Sequence, residues 1–401
     1  MKFYFKAKNA AGKEIDGERE ANDRLALAHE LRTEGLTPIV VKPIKGSKWW
    51  QISFGSGRVA IKEKIVFAGN LSAMISAGLS LARALSVIER QSSSKTFRQV
   101  IASLSTKIRE GQSFSAALAA YPKVFPPVFT AMVSAGEESG KLPQALDTVS
   151  DQMMKSYDLR RKVRGAMIYP IIIIIAIIAI GALMMIFLVP NLVSIFQELD
   201  TELPLTTRIV IWVSNFLSQH TLTFLLVVLL SVVGLTTFFR TAKGKRTSSW
   251  LVVHLPLISP IAKEFNSATS MRTLASLVAS GVGMVTALNI TEKVVQNDYY
   301  KTVLTAASAG VEKGQPLSTV FRENEFLYPP LVGELVEVGE ETGKLSEMLV
   351  KGATFYEDEV NQATKNLSTI IEPLLMVVIG FAVGFFAVSM IGPIYSLSEA
   401  L

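Results

Sequence analysis

Residues 171 to 189 read IIIIIAIIAIGALMMIFLV, a run with no charged or strongly polar side chain. At about 1.5 Å per helical residue the run reaches roughly 28 Å, about one hydrocarbon core, so it demands a transmembrane helix. Two further runs, 222 to 239 (LTFLLVVLLSVVGLTTFF) and 374 to 391 (LLMVVIGFAVGFFAVSMI), are apolar on every side of a helix and read the same way. The 401-residue chain is 49% hydrophobic yet 18% charged, and its charge lies outside these three runs. An ordinary soluble fold and a protein made only of spans are both excluded, leaving a mixed architecture.

The flanks give the spans a direction. Lys155, Arg160, Arg161, Lys162 and Arg164 precede the first run, and Arg240, Lys243, Lys245 and Arg246 follow the second, which marks those sides as cytoplasmic. Residues 190 to 221 carry Glu198, Asp200 and Glu202 against Arg208, and no basic residue follows the third run, so both belong on the far side. The start, MKFYFKAKNAAG, lacks the apolar stretch of a signal peptide. The expected topology is N-terminus cytoplasmic and C-terminus extracytoplasmic.

An internal repeat explains why there are three spans. AGEESGKL at 135 to 142 returns as VGEETGKL at 338 to 345, a shift of 203 residues. The same shift carries Gly78 onto Gly281, Gly111 onto Gly314, Pro126 and Pro127 onto Pro329 and Pro330, and Pro170 onto Pro373. Glycines and prolines mark turns and helix ends, and chance similarity between apolar helices would not hold them in one register. Each unit is a helical region of about a hundred residues followed by a span. For both regions to be cytoplasmic the chain must recross, and the second span, without a repeat partner, supplies that return.

The expected fold is mainly α: two duplicated cytoplasmic helical bundles of about six helices each, three transmembrane helices and a small N-terminal α/β module. By residue, 1–45 form the α/β module and 46–60 a linker, with Trp49 and Trp50 resting either on the membrane interface or on a bundle. The first bundle occupies 61–168, with Ile65, Leu71, Met74 and Ile75 at helical spacing. The first transmembrane helix takes 169–190, an extracytoplasmic segment 191–221, and the second span 222–239. The second bundle follows at 240–370, the third span at 371–395 and a tail at 396–401.

Few chemical sites are available. Without cysteine there is no disulfide, thiolate metal site or cysteine nucleophile, and only His29, His220 and His254 could serve a histidine centre. No cofactor is expected and no catalytic residue. The basic excess behind the net charge of +6 sits on one side of the membrane, which argues for orientation and against nucleic acid. None of the spans carries an ionisable residue in its core, so a proton or ion pathway is disfavoured.

Gly136-Glu-Glu-Ser-Gly140-Lys141-Leu142 superficially resembles a phosphate-binding loop, but its glycine spacing is one residue short, Leu142 replaces the magnesium-holding Ser or Thr, and two acids would repel phosphate. A turn between helices fits better, with Gly140 and Gly343 at left-handed helix ends and Lys141 and Lys344 near free carbonyls or a neighbouring Glu. Glu137, Glu138, Glu340 and Glu341 are open to three readings: helix caps, contacts to a basic partner, or ligands of a divalent cation. Arg160, Arg161 and Arg164 serve either orientation and anionic headgroups or the docking of a partner. Gly380 and Gly384 form a GxxxG pair suited to close helix packing, within the chain or between protomers.

The stretches FAGNLSAMISAGLSLARAL (67 to 85), YPKVFPPVFTAMVSAGEESGKL (121 to 142) and LRRKVRGAMIYP (159 to 170), with their echoes at 270 to 288 and 326 to 345, resemble the type II secretion F family, the PilC/GspF-like inner-membrane platforms of type IV pilus and type II secretion machines. The resemblance covers nearly the whole chain. It implies a non-catalytic scaffold in the bacterial inner membrane that docks a hexameric cytoplasmic assembly ATPase and couples its motion to pilin or pseudopilin subunits. It also implies contacts with other inner-membrane assembly proteins and a homo-oligomer, with a dimer favoured. A membrane adaptor for another cytoplasmic partner is the alternative.

Overall fold

The computed structural model describes residues 2–8, 14–21, 24–43, 59–191, 193 and 205–400, and the chain divides into two units, Met1–Arg58 and Val59–Leu401. The Trp49–Trp50 stretch lies outside the described residues.

The first unit is the small α/β module. Strands β1 (Lys2–Lys8), β2 (Glu14–Glu20) and β3 (Thr37–Pro43) form an antiparallel sheet in the order β2-β1-β3, with helix α1 (Arg24–Thr33) between β2 and β3. Alternation along KFYFKAK turns Phe5 and Ala7 to one face, where Leu27 and Leu31 of α1 cover them. Gly17 stands opposite Phe5 and leaves room for its ring. Arg19 and Glu34 close the edge with a 2.6 Å ion pair.

The second unit is helical, and its repeat is exact at the level of elements. The first copy comprises α2 (Ile61–Ser76), α3 (Leu81–Gln91), α4 (Lys95–Arg109), α5 (Phe114–Ala119), α6 (Pro127–Glu138) and α7 (Leu142–Leu183). After α8 (Leu205–Gln219), α9 (Thr221–Phe238) and α10 (Ala242–His254), the second copy comprises α11 (Ser259–Ala279), α12 (Met284–Val294), α13 (Asp298–Glu312), α14 (Leu317–Glu323), α15 (Pro330–Thr342) and α16 (Leu345–Ala400). The starts of α3 to α7 recur 203 residues later in α12 to α16. Gly78, Gly111 and Gly140 all have positive φ, as do Gly281, Gly314 and Gly343.

The two cores solve one packing problem in two ways. In the first copy Phe67, Phe97, Phe125 and Phe129 stack together, with ring centroids 5.0 to 6.4 Å apart. The corresponding second-copy residues are Ser270, Tyr300, Tyr328 and Val332. Rings are lost at Ser270 and Val332 and two phenol hydroxyls are gained: that of Tyr328 lies 3.0 Å from Ser270 Oγ, and that of Tyr300 donates to the Leu327 carbonyl at 2.7 Å. Both hydroxyls are buried and both are partnered, as an apolar interior requires.

Helix α11 is buried almost all round from Asn266 to Leu277, although much of its sequence is Ser, Thr and Asn. Small side chains let neighbouring helices come close, and several of their polar atoms are satisfied locally: Asn266, Thr273 and Ser276 donate to carbonyls four residues back, whereas the buried Ser267 hydroxyl has no partner among the described residues. The helix packs on α16 of its own copy and also on α6 and α7 of the other, so both bundles share one core. Buried Gln152 of α7 ties them, donating to Thr273 Oγ1 (3.3 Å) and accepting from Ser276 Oγ (3.1 Å).

Helices α7 and α16 run without a break from this core into the first and third apolar runs, so the domain boundaries expected near 168 and 370 fall inside continuous helices. With α9 they are, among the described residues, the three helices long and apolar enough to cross a membrane, and none of the described residues in their most apolar windows is buried. Helix α10, inside the region expected as the second bundle, has no repeat counterpart among the described residues, and α8 forms in the segment 191–221, for which the sequence pattern predicts no helix. Helix α8 joins the ends of α7 and α16: Ser214 donates to the Met185 carbonyl (2.6 Å) in the π-helical turn Met184–Leu188, and Thr207 to the Ser389 carbonyl (2.5 Å). A π turn opens the helical ladder, and Ser214 occupies a carbonyl there.

Candidate functional site

The Gly-Glu-Glu turns share a left-handed glycine in both copies. Helix α6 ends with Gly140 in the left-handed region (φ +67°); the Lys141 N–H reaches the Gly136 carbonyl (2.7 Å) and the Gly140 N–H the Glu137 carbonyl (3.2 Å). This pairing is a Schellman motif, which needs a residue without a Cβ at Gly140. Gly343 repeats the conformation at φ +70°. Gly136 and Gly339 serve another end: a Cβ on Gly136 would overlap that of Ala145, and one on Gly339 would lie 2.8 Å from Leu345 Cα, so both permit the tight helix crossing.

The paired acids part company. Glu137 accepts the N–H groups of Phe114 (2.6 Å) and Ser115 (3.0 Å) and the Ser115 hydroxyl (2.7 Å), capping the start of α5 from another helix. Glu340 does the same for α14 with Leu317 (2.7 Å) and Ser318 (3.1 and 2.7 Å). Both oxygens of each carboxylate therefore face donors at a helix start, where the dipole also favours negative charge, rather than a cation. Glu138 is exposed and accepts from Ser134 Oγ (3.0 Å), and Glu341 is exposed. The side chains of Lys141 and Lys344 are exposed and form no salt bridge among the described residues.

The basic cluster also divides. Arg160 and Arg164, one turn apart on α7, line a cavity shared with α10 to α13, whereas Arg161 and Lys162 are exposed on another face. Burial and the neighbouring Arg164 charge push the Arg160 guanidinium below its ordinary pKa. The cavity adds Lys245, Lys293 and Lys301, whose convergence no local pattern in the sequence signals. A Cβ at Gly380 or Gly384 would meet nothing within 4 Å, so no described part of the chain packs on that face.

One partly buried pair has no local signature in the sequence. Arg272 of α11, 6% exposed, holds Glu357 of α16 through two hydrogen bonds (2.8 and 2.7 Å) and also donates to Thr354 (2.9 Å). The repeat offered a signal: these positions correspond to Gly69 and Met154, so two charges appear together where the other copy has none.

Comparison with known proteins agrees with this geometry. Residues 67–190 and 270–393 each match the family described as Type II secretion system (T2SS), protein F, and residues 1–42 match the Type II secretion system protein F, N-terminal domain. The chain is 34% identical over 404 residues to the type IV pilus assembly protein PilC of Thermus thermophilus, covering 100% of this chain and 98% of that protein. It is 30% identical to PilC of Myxococcus xanthus (100% and 95% covered) and 30% identical to a type II secretion system protein F of Aeromonas hydrophila (95% and 98%).

Proposed function

Because the chain belongs to the type II secretion system protein F family, we propose that it is the non-catalytic inner-membrane platform of a type IV pilus or type II secretion machine, docking a cytoplasmic assembly ATPase and passing its motion to pilin or pseudopilin subunits. The observation that carries this reading is the continuity of α7 and α16, 42 and 56 residues long, from one shared core into the membrane. A helix clamped in a close-packed core transmits displacement along its axis, because such cores shift between arrangements rather than deform smoothly. Spans without ionisable residues at their centres suit a coupler better than a conduit.

Both bundles lie on the cytoplasmic side, with the N-terminus inside and the C-terminus outside. Docking falls to exposed charges on the bundles, among them Glu138, Lys141, Arg161, Glu341 and Lys344. Glu137, Gly140, Glu340 and Gly343 shape the turns that present them. The open Gly380 and Gly384 face provides packing for a second copy, a pilin-type helix or another inner-membrane assembly protein.

Co-purification of the full-length protein with the assembly ATPase in mild detergent tests this, using charge reversals at Glu138 with Glu341 and at Arg161 with Lys162. The expected result is nucleotide-dependent capture by the wild type that at least one reversed pair weakens while insertion stays normal. No capture by the wild type, with or without nucleotide, would favour a membrane adaptor for another partner.

A further inference from the structure

We propose that the cavity between α7, α10, α11, α12 and α13 binds the phosphate headgroup of an anionic phospholipid from the cytoplasmic leaflet. The cavity has a volume of about 700 Å³. Five basic side chains line it (Arg160, Arg164, Lys245, Lys293 and Lys301) against one acid, Asp298, which already pairs with Lys301 at 3.7 Å. Among the described residues Arg160, Arg164, Lys245 and Lys293 form no salt bridge. Arg160 is partly buried and Arg164, Lys245 and Lys293 are exposed around the same hollow, so an entering anion meets several cationic partners at once, and guanidinium forks match phosphate oxygens.

The backbone amides at the start of α13 are not the ligand. Asp298 N–H already donates to Ser249 Oγ (3.3 Å) and Tyr299 N–H to Asn297 Oδ1 (3.0 Å), so the attraction comes from the side chains.

Position selects a lipid among phosphate-bearing molecules. Apart from the isolated Met154, the exposed apolar side chains of α7 begin at Met167 and Ile168, so Arg164 stands ~4.5 Å before them along the axis, inside a headgroup layer roughly 5–7 Å deep, and Arg160 ~10 Å, beneath that layer and within reach of it through its long side chain. The opposite wall is tied to the end of the second span. Thr241 caps α10 by accepting from the Gly244 N–H (3.1 Å), and a Cβ on Gly244 would overlap the Phe238 carbonyl, so Lys245 is fixed directly beneath α9. Val163, Ile261 and Phe265 supply apolar wall for the glycerol and first methylenes. The other copy carries Ala363 and Leu367 in place of Arg160 and Arg164, so the feature is built once per chain.

The test uses full-length protein in neutral detergent, titrated with phosphatidylglycerol, phosphatidylcholine or inorganic phosphate, with bound molecules counted by native mass spectrometry. Phosphatidylglycerol is expected to bind in preference to phosphatidylcholine. Arg160→Gln with Arg164→Gln should weaken it about tenfold or more, whereas Arg161→Gln with Lys162→Gln, the same charge loss on an outer face, should change it less than about twofold. If the first pair fails to insert, Lys245→Gln with Lys293→Gln removes cations from the facing wall and should give the same loss. Equal losses in inner and outer pairs would overturn the site, as would equal binding of the two lipids. Retention of inorganic phosphate without phosphatidylglycerol would overturn the lipid assignment. So would loss of ATPase capture with lipid binding intact in the inner pair, which would make the cavity a protein-docking site.

Discussion

The carboxylates of Glu137 and Glu340 each hold the first two amides of a helix only six or seven residues long, which has too few internal bonds to stand alone. Helix α5 keeps a second cap in Ser113, which accepts from the Ala116 N–H, whereas α14 starts at Pro316 and has no such side chain. Glu340→Ala is therefore expected to cost about 1–2 kcal/mol and Glu137→Ala less, read as thermal denaturation of purified protein. Arg272→Met leaves the partly exposed Glu357 without its cation and should cost about 2–3 kcal/mol, less than a fully buried pair, while Arg272→Met with Glu357→Leu should recover most of it; a double variant as unstable as the single one contradicts this. Burial, with the charge of Glu359 adding to it, pushes the Glu264 carboxyl up to about 7 from its ordinary 4.5, and its Oε2 has no hydrogen-bond partner. The folded state then keeps a proton that the unfolded chain releases, so stability is expected to fall as pH rises from 4.5 to about 7. Glu264→Gln should flatten that slope in denaturation midpoints between pH 5 and 8, by on the order of 1–2 kcal/mol after allowing for partial solvent access. The Gly-Glu-Glu motif was conspicuous in the sequence, but its partners lie 22 and 23 residues upstream, a separation that spacing rules for local caps do not cover.

At the scale of elements, glycine marks where helices cross. Gly136→Ala sets a methyl against Ala145 and should cost about 1–3 kcal/mol, with Gly339→Ala behaving alike, whereas Gly380→Ala adds a methyl where the chain leaves space and should leave monomer stability unchanged. Thermal denaturation of the three variants in detergent separates these cases. The spans and repeat were legible because hydrocarbon thickness and turn chemistry leave local signatures: an apolar run of fixed length, and glycines such as Gly78 and Gly281 at fixed offsets. Helix α8 is not legible in the sequence, since LTTRIVIWVSNFLSQ is too short and polar for a span and belongs to neither copy of the repeat. Its role emerges only from Ser214 and Thr207 reaching two other helices.

For the whole molecule, duplication did not produce symmetry. Helix α11 became the shared centre of both bundles, while its counterpart α2 packs on α3 and α7 of its own copy. The sequence hints at this in Gln152, buried between the copies, whose counterpart Phe355 is exposed. One shared core with two long helices leading from it joins both bundles to the first and third spans, the continuity that the proposed platform role calls for. The absence of cysteine makes the decisive measurement clean, since single introduced thiols can carry a photo-crosslinker in living cells. Probes at Glu138→Cys and Glu341→Cys, on the two bundles, are compared with one at Trp212→Cys on α8. The assembly ATPase should be captured from at least one bundle position and never from Trp212→Cys. Capture from α8, or none from either bundle while the filament still assembles, would contradict the account.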